Sequence, residues 1–208
     1  MNVQKFVCNP FEENTYIVYD DTLEAIIIDP GFYNENELKL LKKFLRKTHL
    51  KIKRIVNTHL HLDHCIGNGF IKREFGLDAE VGKEDLFLIP ILQQQAEMFC
   101  LDIYEPIPEP SLFLKEGDVL NVGNMQFKVL SVPGHSPGSL AFYEEKENVL
   151  FSGDVLFYGS RGRTDLMKGN ETVLLSSIKE KLLTLPEQTT VYPGHGSSTT
   201  IAAEKIYY

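Results

Sequence analysis

Five of the six histidines of this 208-residue chain fall in three short segments: Thr58-His59-Leu60-His61-Leu62-Asp63-His64, Pro133-Gly134-His135 and Pro193-Gly194-His195. Asp154, in Ser152-Gly153-Asp154, completes a set of seven potential metal ligands: His59, His61, Asp63, His64, His135, Asp154 and His195. Imidazoles and carboxylates without thiolates suit zinc, iron or manganese at a hydrolytic or oxygen-handling centre better than a cysteine-rich structural zinc site. A single histidine in a turn is more often a capping or hydrogen-bonding residue. Five clustered with two aspartates are hard to explain that way, because polar groups buried without partners are costly. The inventory therefore predicts a catalytic metal centre.

Each ligand segment follows an apolar run that reads as a strand, so a rigid frame would deliver its side chains to an open cleft. In an extended segment His59, His61 and Asp63 project to one side, and a curl would bring in His64. Gly134 and Gly194 precede His135 and His195 and permit close approach of the backbone. Strands are expected at Val3 to Val7, Thr15 to Tyr19, Glu24 to Asp29, Ile52 to Val56, Val119 to Val122, Met125 to Val132, Leu140 to Glu144, Val149 to Phe151 and Thr190 to Tyr192. Helices are expected at Glu35 to Lys47, at Gly67 to Phe75, and at Glu171 to Leu185 with Leu174, Ile178 and Leu182 on one stripe. Between residues 84 and 110 a helical tendency is broken by Pro90 and followed by three prolines, an irregular excursion that could roof a site. Both halves run strands, helix, strand, and both end an apolar strand on an aspartate, Asp29 and Asp154. No linker divides them, so residues 1–208 read as one α/β domain of two helix-covered sheets.

The net charge of −8, without a lysine or arginine run, argues against a nucleic-acid partner. No apolar stretch approaches the roughly 20 residues of a membrane helix, and Met1 to Pro10 lacks the regions of a signal peptide, so a cytoplasmic protein away from membranes is expected. Cys8, Cys65 and Cys100 are odd in number and widely spaced, which suggests reduced thiols. Cys65, although next to His64, is expected to be a small buried hydrophobe. His49, outside every motif, reads as an exposed or capping residue.

The order His59-x-His61-x-Asp63-His64, His135, Asp154, His195 resembles the metallo-β-lactamase superfamily, an αββα sandwich of two mixed β-sheets flanked by helices. Four further segments resemble the short glyoxalase II group of hydroxyacylglutathione hydrolases: Pro133-Gly134-His135-Ser136-Pro137-Gly138-Ser139, Gly153-Asp154-Val155-Leu156-Phe157, Gly162-Arg163-Thr164-Asp165 and Tyr192-Pro193-Gly194-His195-Gly196. The resemblance implies two divalent metal ions, zinc first with iron or manganese as alternatives. His59, His61 and His135 would hold one, Asp63, His64 and His195 the other, and Asp154 would bridge them. Asp29 matches an outer aspartate that orients a ligand, although Asp29-Pro30-Gly31 also reads as a plain turn. Arg163 matches a basic residue that contacts glutathione in the larger enzymes, or else pairs with Asp165.

The expected reaction is attack on a small-molecule thioester, such as an S-(2-hydroxyacyl)glutathione, by a metal-bound hydroxide. A metal can lower the pKa of water from 15.7 to about 7, and a thiolate leaves without a dedicated acid because thiols ionise near 8.5. The chain departs from the larger enzymes where Asp165 and Ser197 stand in place of substrate-binding tyrosines. It also ends at Tyr208, too soon after His195 for their helical glutathione-binding domain. Persulfide dioxygenases share the fold, the ligand order and the Gly-Arg-Thr-Asp segment while using a single iron, and are the first alternative. An inactive metal-binding scaffold is the second. Lactonases are disfavoured by Gly162 to Asp165, β-lactamases by the bridging Asp154, and RNA-processing members by the net charge.

Overall fold

The computed structural model describes every residue from Met1 to Tyr208. Strands β1 (Asn2–Cys8), β2 (Glu13–Tyr19), β3 (Glu24–Ile28), β4 (Lys51–Val56), β5 (Ala79–Gly82) and β6 (Leu112–Leu114) form one sheet in sequential order. Its first three strands pair antiparallel and the last three join in parallel. The second sheet holds β7 (Val119–Val122), β8 (Met125–Ser131), β9 (Leu140–Glu144) and β10 (Val149–Gly153) as an antiparallel meander. After a small hairpin, β11 (Leu156–Phe157) with β12 (Ser160–Arg161), the strand β13 (Thr190–Pro193) adds in parallel to β10, and β14 (Thr199–Thr200) closes the edge.

Pleat alternation explains the sequence of these strands. The run Ala25-Ile26-Ile27-Ile28 is apolar throughout because both faces of β3 are covered, as expected of a strand that also pairs in parallel. Ile26 and Ile28 join Tyr16, Val18 and Val56 against Phe127, Val129, Phe142 and Phe151 of the second sheet. Ala25 and Ile27 lie in a separate cluster with Leu38 and Leu41 of helix α1 (Glu35–Thr48). After a single helical turn, α2 (Leu62–Cys65), helix α3 (Asn68–Phe75) adds Phe70 and Ile71 to that cluster. On the far side, Ala141, Leu150 and Val191 of the second sheet meet Leu174, Ile178 and Leu182. The layers are helix, sheet, sheet, helix, as the resemblance implied.

Helix α1 starts where Asn34 accepts hydrogen bonds from the Asn36 and Glu37 amides and ends on His49 in the left-handed region at φ 57°, so His49 is a capping residue. The structure adds two strands that carry no local signal and shortens one expected helix. Strands β5 and β6 were not legible: at four and three residues they show no alternation, and non-local parallel hydrogen bonds form them. The expected helix from Glu171 to Leu185 is α-helical only to Ser177 and continues as a π-helical turn, Ile178–Leu182, although its apolar stripe stays buried. The excursion forms a 3-10 segment, Lys83–Ile91, that carries Pro90, followed by the α-helical Leu92–Met98. No helix is long and apolar enough to cross a membrane.

Candidate metal centre

Strands β3 and β4 run parallel to each other, and β8, β10 and β13 share one direction because each antiparallel step is followed by its reverse. The segments leaving their C-terminal ends carry Asp29, the His59–His64 motif, His135, Asp154 and His195. Chain direction therefore brings together ligands spread over most of the sequence. After β4 the chain bends at Thr58, is extended at His61, whose φ and ψ are −67° and 152°, and then enters the turn of α2. That switch supplies the expected curl: it carries Asp63 and His64 into the same cleft.

All seven expected ligands converge. Donor atoms of His59, His61 and His135 lie within 4.8 Å of one another, and so do those of Asp63, His64 and His195, and of His59, His64 and Asp154. Asp154 stands between the first two groups: its Oδ1 is 3.4 Å from His64 Nε2, and its Oδ2 is 3.5 Å from His195 Nε2 and 3.7 Å from His135 Nε2. His195 Nε2 lies 3.1 Å from Asp63 Oδ2.

The outward ring nitrogens are engaged by other groups, which fixes which nitrogen faces the cleft. His135 Nδ1 donates to the Arg163 carbonyl at 2.8 Å, His64 Nδ1 to Asp29 Oδ2 at 3.0 Å, and His59 Nδ1 lies 3.1 Å from Thr58 Oγ1. His59 Nε2, His64 Nε2 and Asp154 Oδ1 are consequently buried without any hydrogen-bond partner. Buried polar atoms are normally satisfied, so these orphaned donor atoms, all aimed at one place, fit divalent metal. His61 Nδ1 and His135 Nε2, only 2.9 Å apart, likewise fit two ligands of a common ion.

Electrostatics follow from this crowding. Burial and then the charge of His135 push the His61 imidazole down to about 4. Burial and the neighbouring imidazoles also hold His59 well below its ordinary value. Burial opposes the charge on His64, but Asp154, Asp63 and Asp29 outweigh it and raise its pKa. Against burial, His64 holds the Asp154 and Asp63 carboxyls below their usual range.

Asp29, at φ 50° and almost fully buried, accepts from the Thr58 amide and the Thr58 hydroxyl, each at 2.6 Å, as well as from His64. Glycines make room nearby: a Cβ on Gly194 would stand 2.1 Å from Asp154 Oδ1, and one on Gly153, at φ 51°, would stand 2.4 Å from Thr58 Oγ1. Glu13 was missed by sequence reasoning. It is fully buried behind the centre, with Oε2 accepting from Thr15 Oγ1 at 2.9 Å, and Glu12-Glu13 at the head of a strand resembles an ordinary solvated turn. Cys65 is buried too, but its sulfur is within reach of the Leu60 and Leu62 carbonyls, and burial pushes its thiol up, so it is inert packing.

The centre opens into a cavity of about 520 Å³. Phe11, Leu62, Phe99, Phe157 and Leu166 give it apolar lining, and Gln95, Ser160, Arg161 and Arg163 give polar lining. Gln95 and Phe99 belong to the excursion, which therefore walls the site. Arg163 pairs bidentately with Asp165 at 2.7 and 2.6 Å, and Arg161, which carried no sequence signal, pairs with Glu171 at 2.7 Å.

A family model for the metallo-β-lactamase superfamily matches residues 8–195, the whole span from the last residue of β1 to the last ligand. The chain belongs to the metallo-β-lactamase superfamily. Among curated relatives of this superfamily member is the hydroxyacylglutathione hydrolase GloC of Haemophilus influenzae, 37% identical over 99% of this chain and 95% of the relative. Solved structures of the superfamily agree with the fold. BLEG-1, a B3 metallo-β-lactamase, is 36% identical with a TM-score of 0.87, covering 99% of this chain and 97% of the other. TTHA1623 in a di-iron-bound form is 37% identical with a TM-score of 0.83, covering 98% and 97%. ETHE1 from Myxococcus xanthus is 26% identical with a TM-score of 0.78, covering 99% and 82%.

Proposed function

We propose that this metallo-hydrolase superfamily member is a thioesterase of the glyoxalase II type, a single domain acting on an S-(2-hydroxyacyl)glutathione or a related small-molecule thioester. What carries the reading is a cleft of seven candidate ligands, with His59 Nε2, His64 Nε2 and Asp154 Oδ1 buried without partners, opening on a cavity with two arginines and no evident proton donor for an amine. Relation to GloC at 37% identity supports the same chemistry. A cytoplasmic location, and no nucleic acid or membrane as partner, belong to this reading.

His59, His61 and His135 would hold one divalent metal, and Asp63, His64 and His195 the second, with Asp154 bridging. Zinc is the first candidate, iron or manganese the alternatives, since imidazole and carboxylate accept all three. When bound, the metals supply Lewis-acid charge for the carbonyl and for water. Asp63 and Asp154 keep their charge at neutral pH and offset that of the ions. The Arg163 carbonyl and the Asp29 carboxylate hold His135 and His64 in the tautomers whose Nε2 faces the cleft. The apolar lining excludes water from around the acyl group, and Arg163 stands at the mouth for a carboxylate of the thiol half. A thiolate, unlike an amine, departs unprotonated, which suits a lining without a general acid.

Metal analysis combined with assays on S-lactoylglutathione, glutathione persulfide and a β-lactam tests the reading. Thioester cleavage that depends on bound metal is expected. A second reading, a mononuclear-iron persulfide dioxygenase, rests on the Gly162-Arg163-Thr164-Asp165 segment and on a donor set of imidazoles and carboxylates that accepts iron as well as zinc. Oxygen uptake with the persulfide and no thioester cleavage would establish it instead.

A further inference from the structure

Asp85 lies outside every segment that marked the metal centre, in the 3-10 stretch Lys83–Ile91, yet it is fully buried. Its Oδ2 accepts hydrogen bonds from the Leu60 amide at 3.1 Å and the Ser136 hydroxyl at 2.7 Å, and its Oδ1 accepts from the Gly138 amide at 2.7 Å. Leu60 is the residue between His59 and His61, and Ser136 follows His135. One carboxylate thus joins the turn that carries two imidazoles to the loop that carries the third.

The fit is close on every side. An ionised carboxylate only accepts, so three donors meet it with no mismatched group. A Cβ on Gly138 would stand 2.7 Å from the Asp85 carboxyl carbon, so that loop packs directly on the carboxylate. Burial raises the pKa of Asp85, and the hydrogen bonds from Ser136, Gly138 and Leu60 oppose that rise. A backbone hydrogen bond from the Leu140 amide to the Thr58 carbonyl, 2.7 Å, also joins the two segments, but it holds the chain before the first histidine and well after the third. Asp85 acts between them, where His61 Nδ1 and His135 Nε2 come to 2.9 Å.

From this geometry we propose that Asp85 is a positioning residue for the first metal subsite: it sets the separation of His59 and His61 from His135, and with it that subsite's affinity. The proposal rests on the two-subsite reading above. Asp85→Asn turns an NH₂ toward a donor and leaves at least one of the three unmatched. Losing such an outer partner typically weakens a metal site by about 10–100-fold.

Cobalt binding, followed by its visible absorption, tests this in a His195→Ala background that lacks a ligand of the second subsite. Adding Asp85→Asn should weaken the remaining ion by about 10–100-fold and alter its spectrum. Ser136→Ala, which removes one donor and keeps the other two, should weaken it less. If Asp85→Asn fails to fold, Ser136→Ala decides. Unchanged affinity and spectrum in the folded variants, even with a lowered melting temperature, would mean that Asp85 serves only the loop packing and overturn the proposal. Failure of the wild-type protein to bind cobalt at all would instead overturn the metal centre, and this proposal with it.

Discussion

Asp29 Oδ2 lies 3.0 Å from His64 Nδ1, across 35 residues of sequence, while the same carboxylate receives the Thr58 amide and hydroxyl. The residue that follows β3 thereby orients the His64 imidazole, which lies in the segment after β4. The backbone at Asp29 is left-handed, φ 50°, a conformation that Asp and Asn tolerate better than most residues. Asp29→Asn should therefore fold. It should bind metal about 10–100-fold more weakly, because an amide cannot accept from all three donors. Competition with a chromophoric chelator measures this, and equal affinity would show that His64 is aimed without Asp29.

Asp154→Asn removes the charge shared by both ligand groups. Turnover of a thioester should fall by on the order of 10²-fold or more, the scale of losing one preorganised electrostatic contributor, and metal content should drop toward one ion per chain. Circular dichroism should be unchanged. Wild-type turnover in this variant would sink the two-metal arrangement.

Metal should stabilise the fold, since an ion that binds the native chain alone contributes about 2.7 kcal/mol at a hundredfold excess over its Kd. For a chain of this size that corresponds to a rise in Tm of roughly 5–10 °C. Scanning calorimetry with and without zinc reads it directly, and coincident transitions would count against a native-state site.

In the metal-free protein the buried imidazoles make stability depend on pH in opposite senses. The folded-state pKa of His61 is about 4, against roughly 6.5 for an unfolded chain. Its contribution is present above about 6.5 and is lost as pH falls toward 4, on the order of 3 kcal/mol. His64 and His195 are opposite, raised by their aspartates despite burial. Their contribution is complete below about 6.5 and is lost as pH rises through their folded values. The metal-free protein should thus be most stable near pH 6.5. Metal requires deprotonated ligands, so the gap between loaded and metal-free Tm should widen from pH 5 to 8. A gap independent of pH would exclude these imidazoles as ligands.

Arg163→Ala should raise KM for a thioester whose thiol half carries a carboxylate, with little change in kcat, since a contact far from the reacting carbonyl contributes uniform binding. Asp165→Asn should do the reverse by releasing the guanidinium, which now pulls the Asp165 carboxyl down to about 2. Both side chains are more than 60% exposed, so neither change should shift Tm. Steady-state kinetics on acidic and neutral thioesters separate the cases, and indifference to both substitutions would make the pair a surface ion pair only.

How much was legible depended on how local each cause is. Ala25 to Ile28 announced a buried strand, the leucine spacing from Glu35 to Lys47 a helix, and the three histidine-bearing turns a metal site, because pleat, helical period and ligand chemistry are written in neighbouring residues. Strands β5 and β6 were not legible, for a few residues gain strand geometry only by pairing with distant ones. Asp85 and Glu13 were equally silent, since a carboxylate in sequence carries no sign of whether water or a buried donor will meet it.

The sequence by itself determined the types, the order and the strand-end placement of the seven candidate ligands, and so the metal-dependent class of chemistry they suit. Only the tertiary structure decided which nitrogen of each imidazole faces inward, that Asp154 stands between two ligand groups, and that Arg161 and the excursion wall the cavity. Those outcomes depend on contacts between segments tens of residues apart, such as Asp29 on His64 and the Arg163 carbonyl on His135. No local pattern encodes them: they follow from parallel-running strands that deposit their loops at one edge of the sandwich.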